Sequence, residues 1–329
     1  MRLKSVLLIL LSCVIAVDAQ EWHPDVLGDG YMMRYVDQGC GERSTIVRKT
    51  ASEADGYGVL YIHGFNDYFF QKEMGDMFVS HHYDFYAVDL RRYGRSLQSG
   101  ERPFDTRNLK DYFPDIDSAI VTMKNAGIDR ITLIGHSTGG LIAAYYMSKT
   151  RNKAIDALIL NSPFFDWNLG KMEKLIPLVS FWGELFPKTN IKQGKSQAYS
   201  ESLLKNAHGE WDYDTVWKLK QSPDVTAGWV HAITSAQRAL RGGKAKIDVP
   251  VLLMYSSKSI GGDKWTPEHN RGDGVLDVND IKKYGRQLGP DVTSIKVVGG
   301  MHDLVLSSPG VRYPLYDYIF EWMRLNVRR

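Results

Sequence analysis

Short, nearly uninterrupted apolar runs recur along the chain, each closed by turn residues and most followed by apolar positions at helical spacing. They cover 58–62, 85–89, 131–134, 157–160, 249–255 and 295–298. Runs of this length without polar alternation mark strands buried on both faces, as in a parallel sheet covered by helices. Residues 114–126 and 140–150 carry helical patterns between them. The alternation predicts an α/β fold with a mostly parallel, twisted sheet flanked by helices. Two earlier stretches, 31–36 and 45–49, read as an antiparallel edge. From 164 to 246 the strand signal stops, and three helical patterns (171–186, 197–219 and 227–240) replace it. That predicts one core in two parts, 20–163 and 247–329, with a helical cap inserted at 164–246.

The first nineteen residues follow a different logic. Arg2 and Lys4 precede an apolar run over 6–17, and Val17-Asp18-Ala19 prepares a cut before Gln20. This is the anatomy of a secretory signal peptide, and the run is short against the ~20 residues of a membrane span. The expectation is an exported chain, periplasmic or extracellular after cleavage near Ala19. Cys40 would then be the single cysteine left, so stability must come from the core and not from an internal disulfide.

Composition adds exclusions. With 43% hydrophobic residues the 329-residue chain is globular and not disordered. Lys and Arg number 41 against 38 Asp and Glu, a net charge of +3 that gives no nucleic-acid footprint. Membrane contact is expected only through a substrate.

The chemistry begins at Gly135-His136-Ser137-Thr138-Gly139, a Gly-x-Ser-x-Gly pattern set between a predicted strand and a predicted helix opening at Gly140. A sharp strand-to-helix turn needs residues without bulk beside the serine, and Gly135, Gly139 and Gly140 meet that need. The helix start would aim free N–H groups at the serine oxygen. A serine hydroxyl is a weak nucleophile and needs a base held by an acid. His302, in Gly300-Met301-His302 after the last predicted strand, is the candidate base among nine histidines. For the acid, Asp263, Asp273, Asp277 and Asp280 compete. Asp277 looks like a helix N-cap, whereas Asp273 in Gly272-Asp273-Gly274 has no such task and is favoured, with Asp277 the alternative. A calcium loop over 269–280 is opposed by a cation, Arg271, among the would-be oxygen ligands. Backbone N–H groups of Phe65, in His63-Gly64-Phe65, and of Thr138 are the candidate oxyanion donors. Five of eight tryptophans fall in the cap segment. Trp167, Trp182 and Trp229, with Phe164, are candidates for an apolar pocket over the serine.

These motifs resemble the α/β-hydrolase superfamily, and more narrowly the monoacylglycerol lipase and lysophospholipase group, grouped with serine aminopeptidases. The resemblance rests on His63-Gly64-Phe65, Asp89 through Ser96, Gly135 through Gly140, Asp273 through Asp277, and Gly300-Met301-His302. The second stretch corresponds to Asp-x-Arg-Gly-x-Gly-x-Ser, with Arg92 where glycine is usual. The resemblance implies a Ser137–His302–Asp273 triad, the helical cap, no cofactor or metal, and hydrolysis of small-molecule or lipid esters through an acyl-enzyme. Phe65-Asn66-Asp67-Tyr68-Phe69 and the 258–272 insertion depart from the family pattern. An aminopeptidase would instead need an acidic pocket, with Glu173, Glu184 and Glu210 as candidates. A non-catalytic ligand-binding protein on the same fold is the remaining alternative.

Overall fold

A computed structural model describes residues 21–327; the predicted signal segment lies outside the described residues. In chain order the elements are β1 (His23–Pro24), β2 (Met32–Gly39), β3 (Glu42–Lys49), β4 (Tyr57–Ile62), α1 (Lys72–Ser80), β5 (Asp84–Asp89), α2 (Phe113–Asn125), β6 (Arg130–His136), α3 (Thr138–Thr150), β7 (Ile155–Asn161), α4 (Ile176–Leu185), β8 (Asn190–Ile191), α5 (Ala198–Leu203), β9 (Val225–Thr226), α6 (Ala227–Leu240), β10 (Val251–Ser256), α7 (Val278–Gly285), β11 (Val292–Val297) and α8 (Pro309–Asn326).

Nine strands form one sheet in the order β1-β2-β3-β5-β4-β6-β7-β10-β11. Pairing is antiparallel from β1 through β5 and parallel from β5 to β11. Adjacent strand residues point to opposite faces, and both faces are covered. Leu60, Ile62, Leu133 and Leu158 pack into the cluster with α2, α3 and α6. Val59, Tyr61, Ala157 and Ile159 pack into the opposite cluster, with α1 and α8. This explains the continuous apolar runs in the sequence. It also brings the carboxyl ends of β4, β6, β7 and β10 to one rim, the usual ligand edge of such sheets.

The helical cap lies between β7 and β10, and it differs from the sequence expectation in two places. The 171–186 pattern divides into a 3-10 turn, Gly170–Leu175, and α4. The 197–219 pattern yields only the short α5. There the chain reverses: Trp211 N–H donates to Leu203 O and Lys205 N–H donates to Trp211 O, both at 2.9 Å. Gly209 closes the reversal, since a Cβ on it would lie 2.0 Å from Leu203 O. The aromatic spacing that mimicked a helix comes from separate anchors. Trp217 packs edge-on against Tyr68 at 5.2 Å, and Trp211 Nε1 donates to Leu306 O at 2.8 Å.

One buried cation joins the sheet rim to the N-terminal segment. Arg95 donates to both oxygens of Asp25 (2.6 and 2.8 Å), to Asp89 Oδ2 (2.9 Å) and to Phe69 O (3.0 Å). Gly94, the first residue of the 3-10 turn that holds Arg95 (Gly94–Ser96), has φ +44°, and a Cβ there would meet Tyr68 Cβ at 2.4 Å. Two positions earlier Arg92 adopts φ +66° where the family pattern has glycine. Its guanidinium bonds Glu42 and donates to Asp105 O at 2.7 Å, which offsets the backbone cost. Replacing Arg95 by Met leaves two buried carboxylates without their cation. We expect a loss of about 3–5 kcal/mol in urea unfolding; an unchanged midpoint would show that Arg95 does not carry this junction.

Candidate active site

Strand β6 runs without a break into the turn that bears Ser137, and α3 starts at the next residue. Ser137 has φ 53° and ψ −118°, a backbone that an L-residue adopts only under constraint. Backbone packed on backbone supplies the constraint. A Cβ on Gly135 would fall 2.5 Å from Gly139 O, and one on Gly139 would fall 2.3 Å from His63 O. Helix α3 thereby starts against the turn that follows β4. Gly64 in that turn lies so close that a Cβ there would meet Ser137 Cβ at 3.2 Å.

His302 follows β11 and reaches across the rim. Its Nε2 is 3.0 Å from Ser137 Oγ and its Nδ1 is 2.9 Å from Asp273 Oδ2. Asp273 is fully buried. Its Oδ1 accepts N–H bonds from Val275 and Leu276, each 2.8 Å. Its own backbone N–H donates to Lys258 O (2.9 Å), and Ile260 N–H donates to its carbonyl (2.7 Å). The 258–272 insertion is therefore a loop closed on itself at the acid, which sits in a pinned position and not in a loose turn. Asp277, the alternative acid, caps α7 by accepting from Asn279 N–H at 2.9 Å. Among the described residues the His302 ring hydrogen-bonds Asp273 and Ser137, and neither Asp263 nor Asp280.

The two histidines flanking the serine have other tasks. Leu90 N–H donates to His63 Nε2 (3.1 Å), so the proton lies on Nδ1, which donates to Gly64 O at 2.8 Å. His63 is thus a neutral brace for its turn. His136 points its Nδ1 at Asn161 O, 3.1 Å away. Burial lowers its basicity, with His302 nearby adding to the effect and Asp303 opposing it.

A second polar layer underlies His302, and the sequence reading missed it. Asp303 is buried and accepts from Asn161 Nδ2 at 2.7 Å and from Gln71 Nε2 at 3.0 Å. Asn161 Oδ1 in turn accepts Leu304 N–H at 3.2 Å. Asn161 stands at the carboxyl end of β7, and that placement was the one available signal.

A cavity of about 310 Å³ opens over Ser137. Phe65, Thr138, Phe164, Trp167 and Trp229 line it, together with Leu276. Phe65 and Trp229 rings lie 4.6 Å apart, and Trp167 stands edge-on to both Phe164 and Trp229. Trp182 is elsewhere, which corrects the sequence expectation: it is 46% exposed, lies against Phe186 and donates to Thr189 Oγ1 at 3.0 Å. It belongs to the outer side of α4, which the periodicity could not orient. The candidate acidic pocket also does not assemble on the cavity lining. Glu210 pairs with Arg312, Glu173 accepts from Leu169 N–H, and Glu184 is exposed.

The residues after His63-Gly64 grip the cap. Asn66 (φ 49°) donates to Leu219 O and accepts Leu219 N–H, both at 2.8 Å. Asp67 pairs with Lys218 at 2.9 Å, and Tyr68 OH accepts Asp214 N–H at 2.8 Å. The unusual 65–69 stretch is therefore matched to this chain's own cap.

The family model described as serine aminopeptidase, S33, matches residues 57–266, and the chain belongs to that family of α/β-hydrolases. Among curated proteins it is 24% identical over 214 residues to AB hydrolase superfamily protein YisY of Bacillus subtilis, covering 62% of this chain and 74% of that one. It is 23% identical over 197 residues to a probable lysophospholipase L2 of Haemophilus influenzae, spanning 55% of each chain. A solved monoglyceride lipase from Saccharomyces cerevisiae, a soluble variant with a substrate analogue, superposes with TM-score 0.69 at 18% identity, over 89% of this chain and 94% of that one. The chain is thus an α/β-hydrolase of the serine aminopeptidase, S33, family, and it shares the fold of that monoglyceride lipase.

The two aspartates differ in task, and that difference is measurable. Asp277→Ala removes an N-cap and should cost about 1 kcal/mol in thermal or urea unfolding. The same variant should leave hydrolytic activity intact; an activity loss like that of Asp273→Asn would assign the acid to Asp277.

Proposed function

We propose that this chain is an exported serine hydrolase that cleaves carboxylic esters with apolar acyl groups, of the monoacylglycerol or lysophospholipid kind. The observation that carries this reading is the hydrogen-bonded line from Ser137 through His302 to Asp273 at the base of an aromatic cavity. In the mechanism, His302 Nε2 takes the Ser137 proton as Oγ attacks the ester carbonyl. Asp273 orients the ring and stabilises the imidazolium through Nδ1–H. The Phe65 and Thr138 N–H groups receive the tetrahedral oxyanion. His302 then protonates the leaving alcohol, and water, deprotonated by the same imidazole, releases the acid from the acyl-enzyme.

The aromatic wall supports an apolar acyl group, and the cap's outer side supports a lipid-phase source for it. Met172, Leu175, Leu178, Phe181 and Leu185 are all exposed along 172–185. An amide substrate with a free amino terminus fits less well. The cavity's one carboxylate outside the triad, Asp67, is already paired with Lys218.

The test uses p-nitrophenyl esters of increasing chain length beside aminoacyl p-nitroanilides. We expect ester turnover, lowered at least ~10⁴-fold by Ser137→Ala and about as strongly by Asp273→Asn. A serine-directed phosphonate should label the parent chain and not Ser137→Ala. Faster cleavage of the anilides would replace this reading with the peptidase. Absence of both turnover and labelling in folded protein would leave a binding protein.

A further inference from the structure

The hydrogen bonds that hold Asp273 come, His302 apart, from its own loop. Its backbone pairs with Lys258 and Ile260, and its Oδ1 takes the N–H groups of Val275 and Leu276. Ser259 Oγ accepts Val278 N–H at 2.9 Å, which closes the loop onto the start of α7. The acid is therefore only as fixed as the 258–276 loop is fixed to its surroundings. Among the described residues, the hydrogen bonds from that loop to the cap are Asn168 Nδ2 to Val275 O, Ser196 Oγ to Asp263 O, and a pair from Asn270.

Asn270 ends a 3-10 turn, Pro267–Asn270, that is shaped at its start by Thr266 N–H donating to His269 Nδ1 at 3.1 Å. Its amide is committed on both sides. Nδ2 donates to Ser202 O at 3.1 Å and to His208 O at 2.9 Å, and Oδ1 accepts Trp265 Nε1–H at 2.8 Å. The Trp265 ring lies flat on His208, centroids 3.5 Å apart. Ser202 belongs to the last turn of α5, where a helix leaves carbonyls without partners of its own. A helix as short as α5 is marginal by itself, so this outside donor helps to hold it. From α5, Tyr199 stands edge-on to His302, centroids 5.5 Å apart. Asn270 thus sits where the loop of the acid meets the helix that packs on the base. The contacts close a ring: His302 to Asp273, along the chain to Asn270, across to α5, and back through Tyr199 to His302.

We propose that Asn270 is a positioning residue of the triad, joining the acid loop to α5 so that Asp273 and the His302 ring keep their hydrogen bond. The proposal rests on the Ser137–His302–Asp273 reading. Among the described residues Asn270 is not part of the cavity lining, so it acts through Asp273 and not on the substrate. The acid matters most when the imidazolium forms. Loosening it lowers kcat and kcat/KM alike and leaves KM in place.

The test uses the chain from Gln20 with p-nitrophenyl esters, and proton NMR of the downfield His302 Nδ1–H resonance in the resting protein. Asn270→Ala should lower kcat about tenfold at unchanged KM, within the worth of the hydrogen bonds it removes. The resonance should broaden through faster exchange with water. Trp265→Phe keeps a ring on His208 but removes the donor that orients the amide. It should lower kcat about threefold in the same way, and it carries the test if Asn270→Ala does not fold. Glu268→Gln, in the same turn, breaks only an exposed pair with Lys258 and should change neither readout. A parent-like kcat with a sharp resonance in Asn270→Ala overturns the proposal. So does a rise in KM at constant kcat, which would make α5 a cavity wall and nothing more. Asp273→Asn as active as the parent overturns the triad reading instead. A resonance that broadens in Asn270→Ala while the parent turns over no ester keeps the positioning role and overturns the ester reading.

Discussion

The turn at Ser137 is built by backbone packed on backbone, and the rest of the rim takes its position from that packing. With Gly139 set against the carbonyls of Ile62 and His63, the first turn of α3 cannot move without the end of β4 moving with it. Ser137 N–H donates to Asn161 O, and Phe164 N–H donates to Ser137 O, both at 3.0 Å. Three strand ends are thus locked to one residue by hydrogen bonds and by contacts that exclude a side chain. A serine held at positive φ in this way projects its hydroxyl from the rim, where a relaxed backbone would turn it toward the sheet.

The polar residues beneath that turn make sense as a consequence. A histidine that must meet both Ser137 Oγ and Asp273 has no freedom in its own backbone. Asp303, directly after it, is held by Asn161 and Gln71, and Met301 N–H donates to Ser307 Oγ at 2.9 Å. Two buried carboxylates near one imidazole would be costly if both sought its charge. They are separated by partners. Asp273 accepts two backbone N–H bonds besides His302, whereas Asp303 is satisfied by neutral amides and faces His136 Nε2 only at 3.9 Å. The geometry gives the nearer carboxylate to the imidazole and leaves the farther one as a brace.

What was legible in the sequence follows from how local its physical cause is. The parallel strands were readable because burial on both faces removes polar alternation, and the serine turn because glycine is required on each side of it. His302 and Asp273 were readable through chain order and the absence of another task for Asp273. Trp182 was misassigned because a helix apolar all round, as 176–186 nearly is, does not say which face meets the core. The 197–219 stretch was misread because tryptophans anchored one by one imitate helical spacing. Asn66, Asp67, Tyr199 and Lys218 left no local signal: each acquires its meaning from a residue far along the chain, and no periodicity encodes such a pair.

That long-range pairing divides the cap into two unlike halves. Residues 213–219 are held to 66–70 contact by contact: Asn66 to Leu219, Asp67 to Lys218, Tyr68 to Asp214 and Trp217, and Phe70 to Tyr213 at 5.0 Å. Because Asp67 is buried with its partner, separating them would strand a charge, a penalty of several kcal/mol. This half of the cap is therefore part of the same rigid frame as the turn at Phe65. The other half, the 3-10 turn and α4, meets the core through few buried residues, Ser180 and Gly183 in α4, while its large apolar side chains face outward. It is attached by Ile176 and Val179, which pack against the core half-buried, and by backbone on backbone, since a Cβ on Gly183 would lie 1.9 Å from Ala227 O. The outward apolar side chains of 172–185 thus follow directly on Trp167 and Leu169, which line the cavity over Ser137.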